Sequence, residues 1–173
     1  MVRVEPVTQA WADALVEGDE MFARRFGVTV EAAWAGFPET IPFLARAACS
    51  GQAPEWGPHL VFDDDDALVG NGGWKGEPVD GQAELGYAVA PARQGRGIAT
   101  AVVLELVARA RAAGLLTVVA HTLAETSPST SVLERCGFTK VADLVDPDDG
   151  AVWRWELPLV AGAARRTDSG RTR

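Results

Sequence analysis

Ala83-Glu84-Leu85-Gly86-Tyr87-Ala88-Val89-Ala90-Pro91 runs straight into Ala92-Arg93-Gln94-Gly95-Arg96-Gly97-Ile98-Ala99-Thr100, and this junction decides the fold. The first nine residues alternate as a strand, with Leu85, Tyr87 and Val89 on one face and Glu84, Gly86 and Ala88 on the other. Pro91 ends the strand, because a residue without an N–H cannot continue a ladder. Gly95 and Gly97 permit a tight turn that exposes consecutive N–H groups. The run Ala101–Ala113 then reads as a helix with Ile98, Val102, Val103, Leu106, Val107 and Ala110 on one broad face. Arg109 and Arg111 suit its last turns and Gly114 suits a left-handed cap. A helix start carries amides with no intrahelical partner, so strand, glycine turn and helix together form a place for an anion, most often a phosphate. Arg93 and Arg96 are expected to supply mobile positive charge beside it.

The turn excludes two common phosphate binders. A nucleotide P-loop needs a lysine after its last glycine, and none is present. A dinucleotide fingerprint needs a third Gly or Ala where Thr100 stands and an acidic residue near Ala120. Gln94-Gly95-Arg96-Gly97-Ile98-Ala99 instead resembles the (Gln/Arg)-x-x-Gly-x-(Gly/Ala) acetyl-CoA signature of the GNAT superfamily of N-acetyltransferases. Ala83–Tyr87 resembles that superfamily's fourth strand. Ser129-Thr130-Ser131-Val132-Leu133-Glu134-Arg135-Cys136-Gly137-Phe138 resembles its last helix and the Gly-Phe that follows. The pattern is most similar to the branch that acetylates ribosomal-protein N-termini. The resemblance covers roughly residues 58–158 well and 1–57 loosely. It implies a single-domain α/β fold: a mixed, mostly antiparallel sheet with helices on both faces.

Around this centre the chain reads as one domain over residues 1–160. Of its 173 residues, 47% are hydrophobic, enough for a substantial core. No apolar run approaches the length of a membrane span, no secretory leader is visible, and Cys49 and Cys136 form no spacing pattern. A cytoplasmic protein with free thiols is expected. The net charge of −8 argues against a nucleic-acid partner. The tail 161–173 carries Arg165, Arg166, Arg171 and Arg173 against Asp168, so it holds +3 of that total and the remainder holds −11. The tail reads as disordered and basic. The acidic remainder suits a cationic acceptor or serves solubility.

Upstream, Val2–Val7 reads as a strand, Thr8 as the cap of a helix closed by Gly18, and Asp19–Phe26 as a second helix. Thr29 is expected to cap a third over Val30–Ala35, and Pro42–Cys49 is helical. His59–Phe62 and Ala67–Trp74 are strands around Asp63–Asp66, taken as a solvated acidic turn. Downstream, Leu115–Thr122 is a strand, Thr126–Arg135 a helix, and Phe138–Leu144 and Val152–Leu157 strands across Asp146–Gly150.

The resemblance implies acetyl-CoA as the acetyl donor, held by Gln94, Gly95, Arg96, Gly97, Ile98, Ala99 and Thr100. The strand edge at Val89 would pair with the pantetheine amides, and the Val89 or Ala90 N–H would point at the thioester oxygen. Glu84 matches the Glu of the family's Glu-(Ile/Leu)-Gly-Tyr string and is the candidate general base, in a half-buried place expected to raise its pKa. A strand carboxylate pairing with a cross-strand cation is the other reading. Ser129 matches the serine of the family's Asn-x-x-Ser helix start, where its hydroxyl can approach the cofactor sulfur; Thr126 stands at the Asn position. Helix capping is the other role open to Ser129. Many relatives place a tyrosine acid four residues before the Gly of Gly-Phe, where this chain has Leu133; Tyr87, its one tyrosine, lies on the face opposite Glu84, so no phenol acid is expected at that site. His59 and His121 lack ligand spacing and read as structural or surface residues, and no metal site is expected. Trp34, Phe37, Phe43 and Trp56 fall in the segment that lines the acceptor cleft in relatives, although core packing is their commoner fate. The expected activity is direct acetyl transfer to a primary amine of a small molecule or protein N-terminus. A non-catalytic acyl-CoA sensor is the alternative, and a homodimer is left open.

Overall fold

Strands built on alternating residues assemble into one seven-stranded sheet in the order β1-β2-β3-β4-β5-β7-β6. The computed structural model describes residues 2–159. Along the chain the elements are β1 (Arg3–Pro6), α1 (Gln9–Glu17), α2 (Asp19–Phe26), α3 (Thr40–Cys49), β2 (Pro58–Phe62), β3 (Leu68–Trp74), β4 (Gln82–Val89), α4 (Ile98–Ala112), β5 (Thr117–Leu123), α5 (Pro128–Arg135), β6 (Thr139–Asp146) and β7 (Gly150–Pro158). Every neighbouring pair is antiparallel except β4 and β5, which α4 joins as a crossover. The expected mixed, mostly antiparallel sheet is therefore present.

Period-two alternation sends β2 and β3 side chains into two cores. Val61 and Val69 pack with α4, while Leu60, Phe62 and Leu68 pack with α1, Trp34 and α3. The buried stripe of α4 is the one expected: Ile98, Val102, Val103, Leu106, Val107 and Ala110. Fully burying each Val or Leu of that stripe stabilises the fold by about 1.5–3 kcal/mol. Gly72 on β3 lets the helix come close, since a Cβ there would lie 2.7 Å from Val102 Cγ1.

Two expectations need correction. Val30–Ala35 is not a helix: Val30 bridges Leu68, Leu68 N–H donates to the Thr29 carbonyl at 2.7 Å, and Ala33 has φ +57°. Pairing with β3 and a left-handed residue together prevent helical turns. The turn Asp63–Asp66 is not wholly solvated, because Asp63 is buried and accepts from the Asp65 and Ala67 amides. The aromatic set follows its commoner fate in all but one member: Trp34 is buried with its indole N–H on Asp19, Trp56 packs on Trp74, Phe43 packs against the second core, and Phe37 is exposed. The basic tail 161–173 lies outside the described residues. No helix among the described residues is long and apolar enough to cross a membrane.

Candidate active site

The site begins where the sheet comes apart. β4 and β5 pair only at Gln82↔Thr117, Ala83↔Val118 and Glu84↔Val119; no further pairing joins them. On its other edge β4 stays bonded to β3 as far as Gly70↔Val89. The Ala90 N–H donates to the Val69 carbonyl at 2.8 Å and the Lys75 N–H to the Glu84 carbonyl at 2.9 Å. Antiparallel alternation then directs the backbone groups of Glu84, Gly86 and Ala88 toward β3, and those of Tyr87 and Val89 toward the gap beside β5. The Val89 amide thus faces the gap, outside the β3 ladder. The Ala90 amide does not, because the β3 ladder uses it.

At the far end of β4 the chain turns into α4. Gly95 and Gly97 adopt φ +73° and +78°, the left-handed conformation that glycine takes without strain. Gly97 is the N-cap, and no side chain caps the helix. The first helical bond runs from the Ala101 N–H to the Gly97 carbonyl at 2.9 Å. Among the described residues the amides of Gly95, Arg96, Gly97, Ile98, Ala99 and Thr100 have no protein acceptor. Consecutive unpaired amides on a helix dipole fit the oxygens of a phosphate. Arg96 is exposed and, among the described residues, has no partner. Arg93 is not the mobile charge expected: its guanidinium is clamped by Glu31 and Asp63, both at 2.7 Å. The Gln94 side chain braces the turn by donating to the Val89 carbonyl at 3.0 Å.

Across the gap, α5 presents its first turn. Ser127, rather than Ser129, is the N-cap, and it forms a reciprocal capping box with Thr130. The Ser129 hydroxyl is half-buried and without a partner among the described residues, and Thr126 is exposed. Tyr87 reaches over from β4 and donates its hydroxyl to the Ser129 carbonyl at 3.1 Å. Burial, the largest influence, pushes the Tyr87 phenol up to about 12. It therefore ties strand to helix and keeps its proton near neutrality.

Glu84 stands on the opposite face, at the last pair before the gap. Its Oε1 accepts from Lys75 Nζ at 2.5 Å and lies 2.9 Å from His121 Nδ1. Burial pushes its pKa up, but hydrogen bonds and charge from Lys75 and His121 outweigh burial and hold it below the ordinary Glu value. The expected rise toward neutrality is thus reversed. Beside the cluster lies an open cleft of about 540 Å³, lined by Lys75, Asp80, Gln82, Glu84, Val119 and Arg154 among others. His121 is the site residue that sequence reading missed. The parallel register Glu84↔Val119 puts it two residues further along the same face, a signal visible only once the strands are paired. His59, by contrast, is structural: it is fully buried, with Nδ1 2.9 Å from the Gly57 carbonyl. No group of three or more His, Cys, Asp or Glu among the described residues is placed to hold a metal.

The family model described as an acetyltransferase (GNAT) domain matches residues 2–139. No curated protein matches the chain. Among solved structures, a spermidine N-acetyltransferase chimera from Vibrio cholerae and human SSAT is similar, with TM-score 0.68 and 16% identity over 91% of this chain and 95% of that one. The ribosomal-protein-S18-alanine N-acetyltransferase from Escherichia coli has TM-score 0.64 and 16% identity over 95% and 98% of the two chains. An acetyltransferase from Salmonella typhimurium, solved with its cofactor acetyl-CoA, has TM-score 0.59 and 20% identity over 94% and 96%.

Proposed function

The chain belongs to the GNAT acetyltransferase family, and we propose that it moves the acetyl group of acetyl-CoA directly to a primary amine of a small molecule or a protein N-terminus. The observation that carries this reading is the run of acceptorless amides Gly95–Thr100 at the end of an unpaired strand edge. Those amides, with Arg96, would hold the pyrophosphate, and Gln94 would keep the turn in place. The Tyr87 and Val89 backbone groups would pair with pantetheine amides as an added strand does. Ser129 would offer its free hydroxyl to the departing thiolate, with Thr126 beside it. Acetyl-CoA itself supplies the activated acetyl group as a thioester.

The sheet divides the work between its faces. Ile98, Tyr87 and the start of α5 belong to the face covered by α4, where the donor would lie. Lys75, Glu84 and His121 belong to the other face, where Lys75 and Glu84 line the cleft that the amine would enter and His121 stands behind them on Glu84. Among that cleft's lining residues Glu77, Asp80 and Glu84 outnumber Lys75 and Arg154, which favours a cationic amine. Spermidine and the alanine of ribosomal protein S18, the acceptors named for two similar structures, mark the range to test. A screen of amines and peptides read by release of CoA thiol decides the matter. Amine-dependent release supports transfer; tight acetyl-CoA binding with no release for any amine makes the domain an acyl-CoA sensor.

A further inference from the structure

We propose that the Nε2 atom of His121 takes the proton from the acceptor amine, and that Glu84 is a positioning residue that orients the imidazole. This deepens acetyl transfer to an amine as read above and rests on that reading. The geometry comes from the sheet. β4 and β5 run parallel with Glu84 opposite Val119, and period two returns His121 to the face of Glu84. The Nδ1–Oε1 distance is 2.9 Å. An ionised carboxylate only accepts, so in this contact Nδ1 carries the proton and Nε2 presents its lone pair. Among the described residues Nε2 has no hydrogen-bond partner, and the side chain is 22% exposed, enough to meet a substrate.

Glu84 is poorly placed to be the base itself. Its Oε1 already receives Lys75 and His121, and those contacts favour the ionised form. Imidazole as a class titrates near neutrality, where proton abstraction is most effective. The groups that set the charge around His121 come from four elements. Glu84 on β4 and Asp146 at the end of β6 favour the imidazolium. Lys75 after β3 and Arg154, its register partner on β7, oppose it. Arg154 is itself held by Glu156 at 2.8 Å.

The step balances without another reactant. His121 Nε2 takes one proton from the acceptor ammonium, and the freed amine forms the C–N bond at the acetyl carbon. The C–S bond breaks, and the thiolate receives the second proton shed by that nitrogen. His121 then returns its proton to solvent.

Two measurements test the assignment together. The chain has only two histidines, so imidazole NMR resolves both. Glu84→Gln removes the negative partner, and the His121 titration midpoint should fall by about 1–2 pH units. The acidic limb of the kcat/KM profile should move down with it, using spermidine or an alanine-starting peptide as acceptor. His121→Gln should lose about 10²–10⁴-fold in kcat and lose that limb, while calorimetric acetyl-CoA affinity stays within a few-fold. A limb that persists in His121→Gln, or that stays put in Glu84→Gln while the NMR midpoint moves, overturns the assignment. If His121→Gln does not fold, the parent and Glu84→Gln comparison decides alone. CoA release with none of the screened amines and peptides, with acetyl-CoA still bound, overturns the transfer reading and the His121 role with it. Normal transfer with an unmoved limb overturns the His121 role only.

Discussion

Ser127 and Ser129 stand two residues apart at the head of one helix and have different jobs. Ser127 accepts the Thr130 amide and caps α5, so Ser127→Ala should cost about 1 kcal/mol of stability, read by denaturant unfolding. Ser129 caps nothing, so Ser129→Ala should leave stability unchanged and lower turnover modestly where chemistry limits the rate. The reverse pattern would return Ser129 to a structural role. His59 supplies a pH test of the core. Its pKa is pushed down to about 4, chiefly by burial, with the Gly57 carbonyl opposing and Arg109 adding to the fall. The unfolded chain then binds more protons than the folded one between about pH 4 and 6.5. Stability is full above that window and falls as pH drops across it, by up to about 3 kcal/mol. His59→Gln should flatten this slope in thermal unfolding followed against pH; an unchanged slope would place its origin elsewhere.

At the level of elements, the glycine turn and α4 are coupled by backbone conformation. Gly97 holds φ +78° with open space where a Cβ would stand. Gly97→Glu should therefore fold with a stability loss of about 1–2 kcal/mol from the left-handed backbone. It should abolish calorimetric acetyl-CoA binding, because its carboxylate enters the space before the free amides. Affinity within a few-fold of the parent would remove the turn from the cofactor site. This element was legible in sequence because every cue is local: alternation up to Val89, Pro91 as a stop, two glycines, and an apolar stripe from Ile98 to Ala110. Val30–Ala35 was misread because its fate depends on a long-range bridge to Leu68, which no local pattern records. The cap of α5 is undecided in the sequence for a subtler reason: Ser127, Ser129 and Ser131 are all capping types, and only backbone geometry selects the first.

Across the whole molecule, register is what sequence reading lacks. Glu84 was found from its local string, yet its surroundings come from Lys75 at the end of one hairpin strand and His121 on a strand beyond α4. Those partners reverse the direction of its pKa shift. The clamp of Arg93 by Glu31 and Asp63 has the same origin, drawing on residues 62 and 30 positions away. The gap between β4 and β5 is likewise a property of the sheet, and the acetyl donor is proposed to lie in it. Amide hydrogen exchange with and without saturating acetyl-CoA tests that most directly. Slowed exchange is expected at Gly95–Thr100 and at Tyr87 and Val89, with little change in α1 through α3. Protection confined to another part of the chain, with none at the turn, would contradict that placement.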